Sequence, residues 1–124
     1  DSLLLVRTRT TGLYAFPGGG IHLGEPIEAA LLREIHEETG IQVSIETFFF
    51  FSEDFFYFDL QDTGYHALLH FYLCKPLKTD LVPDAEVIDF YAEKPRWVPF
   101  KNLDPGEFQP GIREAYLNYR HQFT

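Results

Sequence analysis

The 124-residue sequence contains no methionine, a single cysteine and no long apolar run. The lone thiol, Cys74, cannot close an intramolecular disulfide, which is typical of proteins in a reducing cytosol. No apolar stretch approaches the ~20 residues that a membrane helix needs, and no basic, signal-like segment opens the sequence. We therefore expect a soluble, cytoplasmic protein with no membrane partner. Because methionine is absent altogether, we also expect the natural chain to begin before Asp1.

Positive charge is scarce in this chain. Ten Lys and Arg residues stand against nineteen Asp and Glu, which gives a formal net charge of -9 at pH 7. Nucleic-acid polymers and anionic membranes bind clustered cations, so neither is predicted as a partner. An anionic small-molecule substrate would need positive charge from another source, and a bound divalent cation would supply it.

A single domain is expected over residues 1–124, because this length is usual for one compact core. The residue pattern predicts a central helix from Pro26 to Thr39, capped by Gly40, and a closing amphipathic helix over 112–121. Strands combined with these two helices favour an α/β layered domain with a mixed sheet. The predicted strands cover 3–7, 13–16, 41–45, 48–51, 55–58 and 65–73, with a turn at 52–54 and a short extended piece at 96–99.

One face of the central helix combines apolar and acidic side chains, if each residue advances by about 100°. Its last turns carry three glutamates, which would repel one another if packed inward at the negative end of the helix dipole. A hard cation such as Mg²⁺, which prefers carboxylate oxygens, would remove that conflict. The alternative is an ordinary charged surface that faces water. The residues of this face are Ile27, Ala30, Leu31, Glu34, Glu37 and Glu38.

The residues around the helix favour the metal site over the solvent-facing surface. The segment GGIHLGEPIEAALLREIHEETGI, residues 19–41, resembles the Nudix box at every defined position. The segments LLLVR, FPGGG and RWVPFKNL are also arranged as in Nudix domains, so the resemblance covers most of the chain. The defined positions of the box are Gly19, Glu25, Arg33, Glu34, Ile35, Glu37, Glu38, Gly40 and Ile41.

The resemblance implies a Nudix-type α/β/α sandwich around a mixed β-sheet. The family's usual first strand has no counterpart before residue 3, so we expect it to be missing from this sequence. The implied enzyme is a Mg²⁺-dependent pyrophosphohydrolase, with Mn²⁺ as an alternative ion. Such enzymes cleave a nucleoside diphosphate linked to another moiety, by attack of water on phosphorus. The implied partner is therefore a small-molecule nucleotide.

The same resemblance implies roles for individual residues. Glu34, Glu37 and Glu38 resemble the metal-binding carboxylates, and the carbonyl of Gly18 resembles a further ligand. Arg33 resembles the residue that orients a box glutamate through a charged hydrogen bond. Structural roles in the box are implied for Gly19, Glu25 and Gly40, and Glu25 is expected to hold the loop to the helix.

The identity of the general base stays open, because relatives place it either in the box or on a later loop. Glu38 or Glu34 would act from the helix. Glu93, in the loop before Trp97, is the first candidate outside the box, and Glu86 and Asp89 are weaker ones. Each of these three acids also fits an ordinary solvated loop.

The substrate also stays open, because the box sets the reaction and not the leaving group. Trp97 is a weak candidate for stacking on a base. Tyr57 is another, because it occupies a position after the box that resembles dinucleoside polyphosphate hydrolases more than ADP-ribose hydrolases. Phe108-Gln109-Pro110 is followed by glycine where 8-oxo-dGTP hydrolases carry asparagine, which argues against that substrate. The alternative function is a non-catalytic Nudix-fold module that binds a nucleotide or a protein, and a homodimer is compatible with either.

Overall fold

The computed structural model describes residues 2–58, 61–87, 89 and 91–124. Five strands and two helices follow one another along the chain: β1 (Ser2–Thr8), β2 (Tyr14–Ala15), α1 (Ile27–Thr39), β3 (Val43–Phe58), β4 (Thr63–Pro76), β5 (Ala92–Pro99) and α2 (Arg113–Phe123). Short 3₁₀ helices lie at Asp84–Glu86, Pro105–Glu107 and Pro110–Ile112. None of the described helices is long and apolar enough to cross a bilayer. The predicted α/β class is confirmed.

The described strands form two sheets. One has the order β2-β1-β5 and the other pairs β3 with β4. All of these pairings are antiparallel, and the parallel component expected of a mixed sheet appears, among described residues, only as an isolated bridge between Tyr14 and Phe108. β3 and β4 follow each other closely along the chain, and such neighbours pair antiparallel because a parallel pair needs a long crossover.

The prediction of a turn at 52–54 is wrong. Ser52, Glu53 and Asp54 continue β3 and pair with Leu69, Leu68 and Ala67 of β4. The segment contains no glycine or proline to interrupt the ladder, and the phenylalanines on both sides favour the strand. The predicted strands 41–45, 48–51 and 55–58 therefore belong to the single strand β3. Residues 41 and 42 are the exception, because β3 begins at Val43.

The largest buried cluster joins β1 to α2. Leu5, Phe100, Phe108 and Tyr116 are fully or almost fully buried there. The rings of Phe108 and Tyr116 stack with centroids 4.3 Å apart. The Tyr116 hydroxyl donates to the carbonyls of Phe100 and Leu103 at 2.6 and 2.9 Å, so its burial leaves no polar atom without a partner. This cluster fixes α2 against the three-stranded sheet.

α1 begins after Pro26 and ends at Gly40. Gly40 has φ 77°, and its N–H donates to the carbonyl of His36 at 2.8 Å, as a left-handed helix cap does. A Cβ at this position would clash with the side chain of Val82, so both conformation and space select glycine. The end of the helix, and with it the last glutamate, is thereby held in place.

The buried face of α1 differs from the predicted one. It consists of Ala30, Glu34, Ile35, Glu38 and Thr39, whereas Ile27 is exposed and Glu37 lies at the edge of this face. Ile35 and Thr39 lie about 100° beyond the acidic positions, on the side that packs into the protein. Glu34 and Glu38 therefore point inward and Glu37 does not.

Candidate metal centre and active site

Three carboxylates meet at the buried side of α1. Glu34 and Glu38 come from the helix and Asp89 from the segment before β5, and each offers an oxygen within 4.8 Å of the others. We call these three residues the acidic cluster. Glu38 is 1 % exposed and Glu34 is 8 % exposed. The N–H of Gly18 donates to Glu38 Oε2 at 3.2 Å, which brings the loop before the helix against the cluster.

Burial among like charges raises the pKa of Glu38 to about 10. Loss of hydration is the main cause, and the negative charges of Asp89 and Glu34 add to it, while the Gly18 hydrogen bond acts in the opposite direction. Three oxygen ligands from carboxylates form the donor set that hard divalent cations prefer. A cation would favour ionised Glu38, so the cluster fits a divalent metal such as Mg²⁺.

Asp89 is positioned by the backbone that starts β5. Its Oδ1 accepts hydrogen bonds from the N–H groups of Tyr91 and Ala92 at 2.7 and 2.8 Å. The Nε of Arg9 donates to its carbonyl at 3.3 Å. These contacts fix the carboxylate from one side and leave its second oxygen without a described hydrogen bond.

Arg33 connects the loop before α1 to the helix. Its Nε and Nη2 donate to the two oxygens of Glu25 at 2.8 and 2.9 Å, and Nη2 also donates to the carbonyl of Gly20 at 3.0 Å. Its Nη1 donates to Glu34 at 2.9 Å and to Glu37 at 3.3 Å. A planar guanidinium can hold all these acceptors because its donors lie in a fixed fork. Glu34 is thus oriented by a residue outside the acidic cluster.

Glu25 is the carboxylate that receives this fork. The Arg33 hydrogen bonds and the N–H of His22, which donates to Glu25 at 3.0 Å, lower the pKa of Glu25 to about 2. Gly19 lies nearby, and a Cβ on it would come within 2.6 Å of the Glu34 carboxyl carbon. Any larger residue at position 19 would therefore displace a member of the acidic cluster.

A sequence profile of the NUDIX domain matches residues 1–119 of this chain. The chain belongs to the Nudix hydrolase family. The Nudix box thus corresponds here to a glycine-containing loop, α1 and the Gly40 cap, with two of its glutamates in the acidic cluster.

Individual relatives agree with this family assignment. An ADP-ribose pyrophosphatase from Methanocaldococcus jannaschii and a MutT-like protein from Streptomyces ambofaciens are each 41 % identical over 44 residues. These matches cover 33 % and 36 % of this chain and only 26 % and 29 % of the relatives' own lengths.

Solved Nudix structures share the fold. The MutT NUDIX hydrolase from Burkholderia pseudomallei superimposes with a TM-score of 0.70 at 25 % identity, over 99 % of this chain and 88 % of that one. A UDP-X diphosphatase superimposes with a TM-score of 0.64 at 20 % identity, over 98 % of this chain and 57 % of that one.

The remaining residues predicted for the Nudix site are not members of the acidic cluster. The side chain of Glu37 is 35 % exposed and is bound by Arg33 at 3.3 Å. Glu93 forms an ion pair with Arg9 at 3.1 Å, and Glu86 is exposed in a 3₁₀ helix. The backbone N–H of Gly18, rather than its carbonyl, makes the described contact with the acidic cluster.

The two aromatic candidates for substrate binding are not joined to the acidic cluster by any described hydrogen bond or ring contact. Trp97 lies in β5 and donates its indole N–H to the carbonyl of Thr79 at 3.0 Å. Tyr57 lies near the end of β3, opposite Gly64, with 56 % of its surface exposed. Nothing in the contacts of either residue identifies a base.

Proposed function

We propose that this Nudix domain is a Mg²⁺-dependent pyrophosphohydrolase that cleaves a nucleoside diphosphate linked to another moiety. The observation that carries the proposal is the acidic cluster, in which a nearly inaccessible carboxylate is kept beside two others. An isolated buried charge is unfavourable, so this arrangement is expected in a site that receives a cation. Among the described residues, no hydrogen bond or ion pair requires three carboxylates to meet there.

In this proposal Glu34 and Glu38 hold the metal, Glu37 and the Gly18 carbonyl are further ligands by family resemblance, and Asp89 lies beside the metal ligands. When bound, the cation supplies charge that neutralises the diphosphate and orients the attacking water. Arg33 and Glu25 position Glu34 through the network described above. Gly19 leaves the space in which the Glu34 carboxylate lies.

For the general base we propose Asp89 ahead of Glu93. Asp89 lies among the helix carboxylates, whereas Glu93 is already engaged by the guanidinium of Arg9. A base accepts a proton only if one of its oxygens is accessible to the attacking water. Glu34 and Glu38 remain alternatives within the helix.

The test is hydrolysis of a substrate panel with and without Mg²⁺ or Mn²⁺. The panel contains ADP-ribose, which one relative's name suggests, together with nucleoside triphosphates, nucleotide sugars and dinucleoside polyphosphates. Metal-dependent release of phosphate or nucleoside monophosphate is expected for at least one compound, and Glu38→Gln is expected to abolish it. The matched control is Lys101→Gln, which changes one exposed charge outside the site. No turnover of any compound by folded, metal-saturated protein would favour the non-catalytic binding module.

The outer face of the β3–β4 pair supports a homodimer proposal. Phe51, Phe55, Tyr57 and Leu68 are all exposed there, Phe55 to 70 %. Residues 63–74 contain no Asp, Glu, Lys or Arg, so two copies of a chain with net charge -9 meet little charge repulsion along β4. Sedimentation is expected to give a dimer in wild type and a monomer in Leu68→Glu.

We expect no membrane or nucleic-acid polymer as partner and a cytoplasmic location.

A further inference from the structure

A pocket with three cations among its six lining residues lies beside β1, β2 and β5. Its volume is about 420 Å³. We call it the basic pocket. Three cationic side chains and one carboxylate line it, in a chain whose net charge is -9. A local excess of positive charge in so acidic a protein is not a consequence of composition. The lining residues are Arg7, Gly12, Tyr14, Glu93, Lys94 and Arg96.

Some of these charges are already paired and others are not. Arg9, just outside the pocket, binds Glu93, and Arg96 forms two hydrogen bonds with Asp84 at 2.8 and 3.0 Å. Lys94 has no hydrogen bond or ion pair within the described part of the chain, although its charge contributes to lowering the pKa of Asp84. Arg7 likewise has no carboxylate partner there. Two cations are thus available to a ligand.

Arg7 is held in place without losing its charge. Its guanidinium carbon lies 3.7 Å from the centroid of the Tyr14 ring, and Nη1 donates to the carbonyl of Gly12 at 3.1 Å. Stacking on an aromatic ring fixes the guanidinium plane and leaves the remaining N–H donors free at its edge. Such an edge matches the oxygens of a phosphoryl group.

Lys94 reaches the pocket through a bulge in β5. Leu5 pairs with Arg96 and Arg7 pairs with Glu93, so Val6 alone lies opposite both Lys94 and Pro95. Lys94 has φ 52°, a left-handed conformation that a lysine adopts only at a cost. Bulges redirect side chains and are frequent beside functional sites. Glycine adopts this backbone conformation at a lower cost than lysine. The presence of a lysine therefore indicates a function for its ammonium group.

We propose that the basic pocket is an anion site that takes a polyphosphate group between Arg7 and Lys94. The site is distinct from the acidic cluster and does not depend on the proposed hydrolysis. A polyphosphate is favoured over a carboxylate because it presents several oxygens and more than one negative charge to two separate cations. The group is either free polyphosphate or the phosphate chain of a nucleotide.

The test is calorimetric titration of the full chain with tripolyphosphate in EDTA, which removes any contribution from a metal. Wild type and Glu38→Gln are expected to bind equally, with an affinity that falls as NaCl is raised. Lys94→Gln is expected to bind about tenfold or more weakly, since a hydrogen bond between charged groups contributes about that factor. Lys101→Gln, which removes an exposed charge elsewhere, is the matched control and is expected to bind like wild type.

A second variant separates ligand binding from folding. Lys94→Gly is expected to be at least as stable as wild type, because glycine accepts φ 52° freely, and yet to lose the same affinity as Lys94→Gln. Tighter binding of ATP than of tripolyphosphate would identify a nucleotide phosphate chain as the occupant, and weaker binding of ATP would identify free polyphosphate. Absence of binding at millimolar tripolyphosphate, or equal binding by wild type and both Lys94 variants, would overturn the proposal.

Discussion

The acidic cluster and the basic pocket both draw on the segment 89–96, yet they handle charge in opposite ways. The acidic cluster gathers like charges where water is excluded, so Glu38 is kept from ionising unless a cation is present. The basic pocket leaves Lys94 in contact with solvent, which stabilises its charge without a ligand. The difference between the two sites is therefore one of burial. The acidic cluster needs a cation for Glu38 to ionise, whereas the basic pocket is charged with or without a ligand.

Glu38→Gln is expected to have the largest effect on this contrast. The amide keeps the shape of the side chain and removes the negative charge, so metal-dependent turnover should fall by orders of magnitude while the fold is retained. Steady-state rates at saturating Mg²⁺ measure the loss, and circular dichroism checks the fold. A folded variant with near-normal rates would contradict the assignment of the acidic cluster.

Neutralising Asp89 and Glu93 in separate variants distinguishes the role of the acidic cluster from that of the basic pocket. Asp89→Asn is expected to lower kcat at least about tenfold, because it removes a carboxylate beside the metal ligands. Glu93→Gln is expected to leave kcat within a few-fold and to tighten tripolyphosphate binding, because it removes the one carboxylate that lines the basic pocket. Kinetics and calorimetry on the same two proteins give both readouts. The reverse ranking of the two kcat values would restore Glu93 as the base.

Arg33→Lys tests whether orientation of Glu34 matters apart from charge. Lysine keeps the positive charge but cannot hold Glu25, Glu34 and Glu37 at once, since its donors do not form a planar fork. Loss of a residue that orients a metal ligand typically costs about 10- to 100-fold in metal affinity or activity. The Mg²⁺ concentration at half-maximal rate is the direct measurement, with Arg113→Lys, at the start of α2, as a control. An unchanged Mg²⁺ requirement would exclude a role for Arg33 in orienting Glu34.

The last two expected effects are on stability as a function of pH and not on turnover. Glu38 has a folded-state pKa of about 10 against an ordinary value of 4.5. Below pH 4.5 it is protonated in both folded and unfolded protein, and above that pH the unfolded chain loses the proton first. Metal-free wild type should therefore lose stability relative to Glu38→Gln as the pH rises from about 5 towards 9. Thermal unfolding of both proteins in EDTA at pH 5 and 8.5 measures the difference, and a difference that does not change with pH would contradict the burial of Glu38.

Glu25 acts in the opposite direction and at lower pH. Its folded-state pKa of about 2 lies below the ordinary value, so the stability that it contributes is present above pH 4.5 and is lost as the pH falls towards 2. The Glu25–Arg33 pair is only partly buried, with 17 % and 22 % of the two side chains exposed, so solvent screens part of the interaction and reduces the loss. Glu25→Gln should remove this part of the acid sensitivity.

The sequence was sufficient for the part of the site that is local in the chain. Gly19, Glu25, Arg33, Glu34 and Glu38 lie within one loop and one helix, and their geometry follows from helical spacing and a single cap. The sequence places Glu93 ahead of Asp89 as a candidate base, because spacing along the chain does not show which acid lies next to the helix glutamates. The position of Asp89 depends on the antiparallel pairing of β5 with β1 and on the two N–H groups that donate to its carboxylate.

Pairing and packing between distant parts of the chain, which the sequence does not show, also explain the other differences from prediction. The Ser52–Asp54 segment resembles a turn in composition, and only its pairing with β4 makes it a strand. The bulge at Lys94 arises from a two-against-one pairing between β5 and β1, which sequence periodicity does not reveal. Helical spacing predicts Glu37 on the same face as Glu34 and Glu38, because one face of a helix spans a wide angle. The packing of Ile35 and Thr39 decides which part of that face is buried.

The guanidinium of Arg33 has a consequence for protein design. Every described partner of this side chain lies between residues 20 and 37, so the loop and the helix form a unit that carries its own internal bracing. Transplanted into an unrelated scaffold, that unit would bring Glu34 already oriented. The recipient would have to provide an acid from a separate segment, in the place that Asp89 takes here.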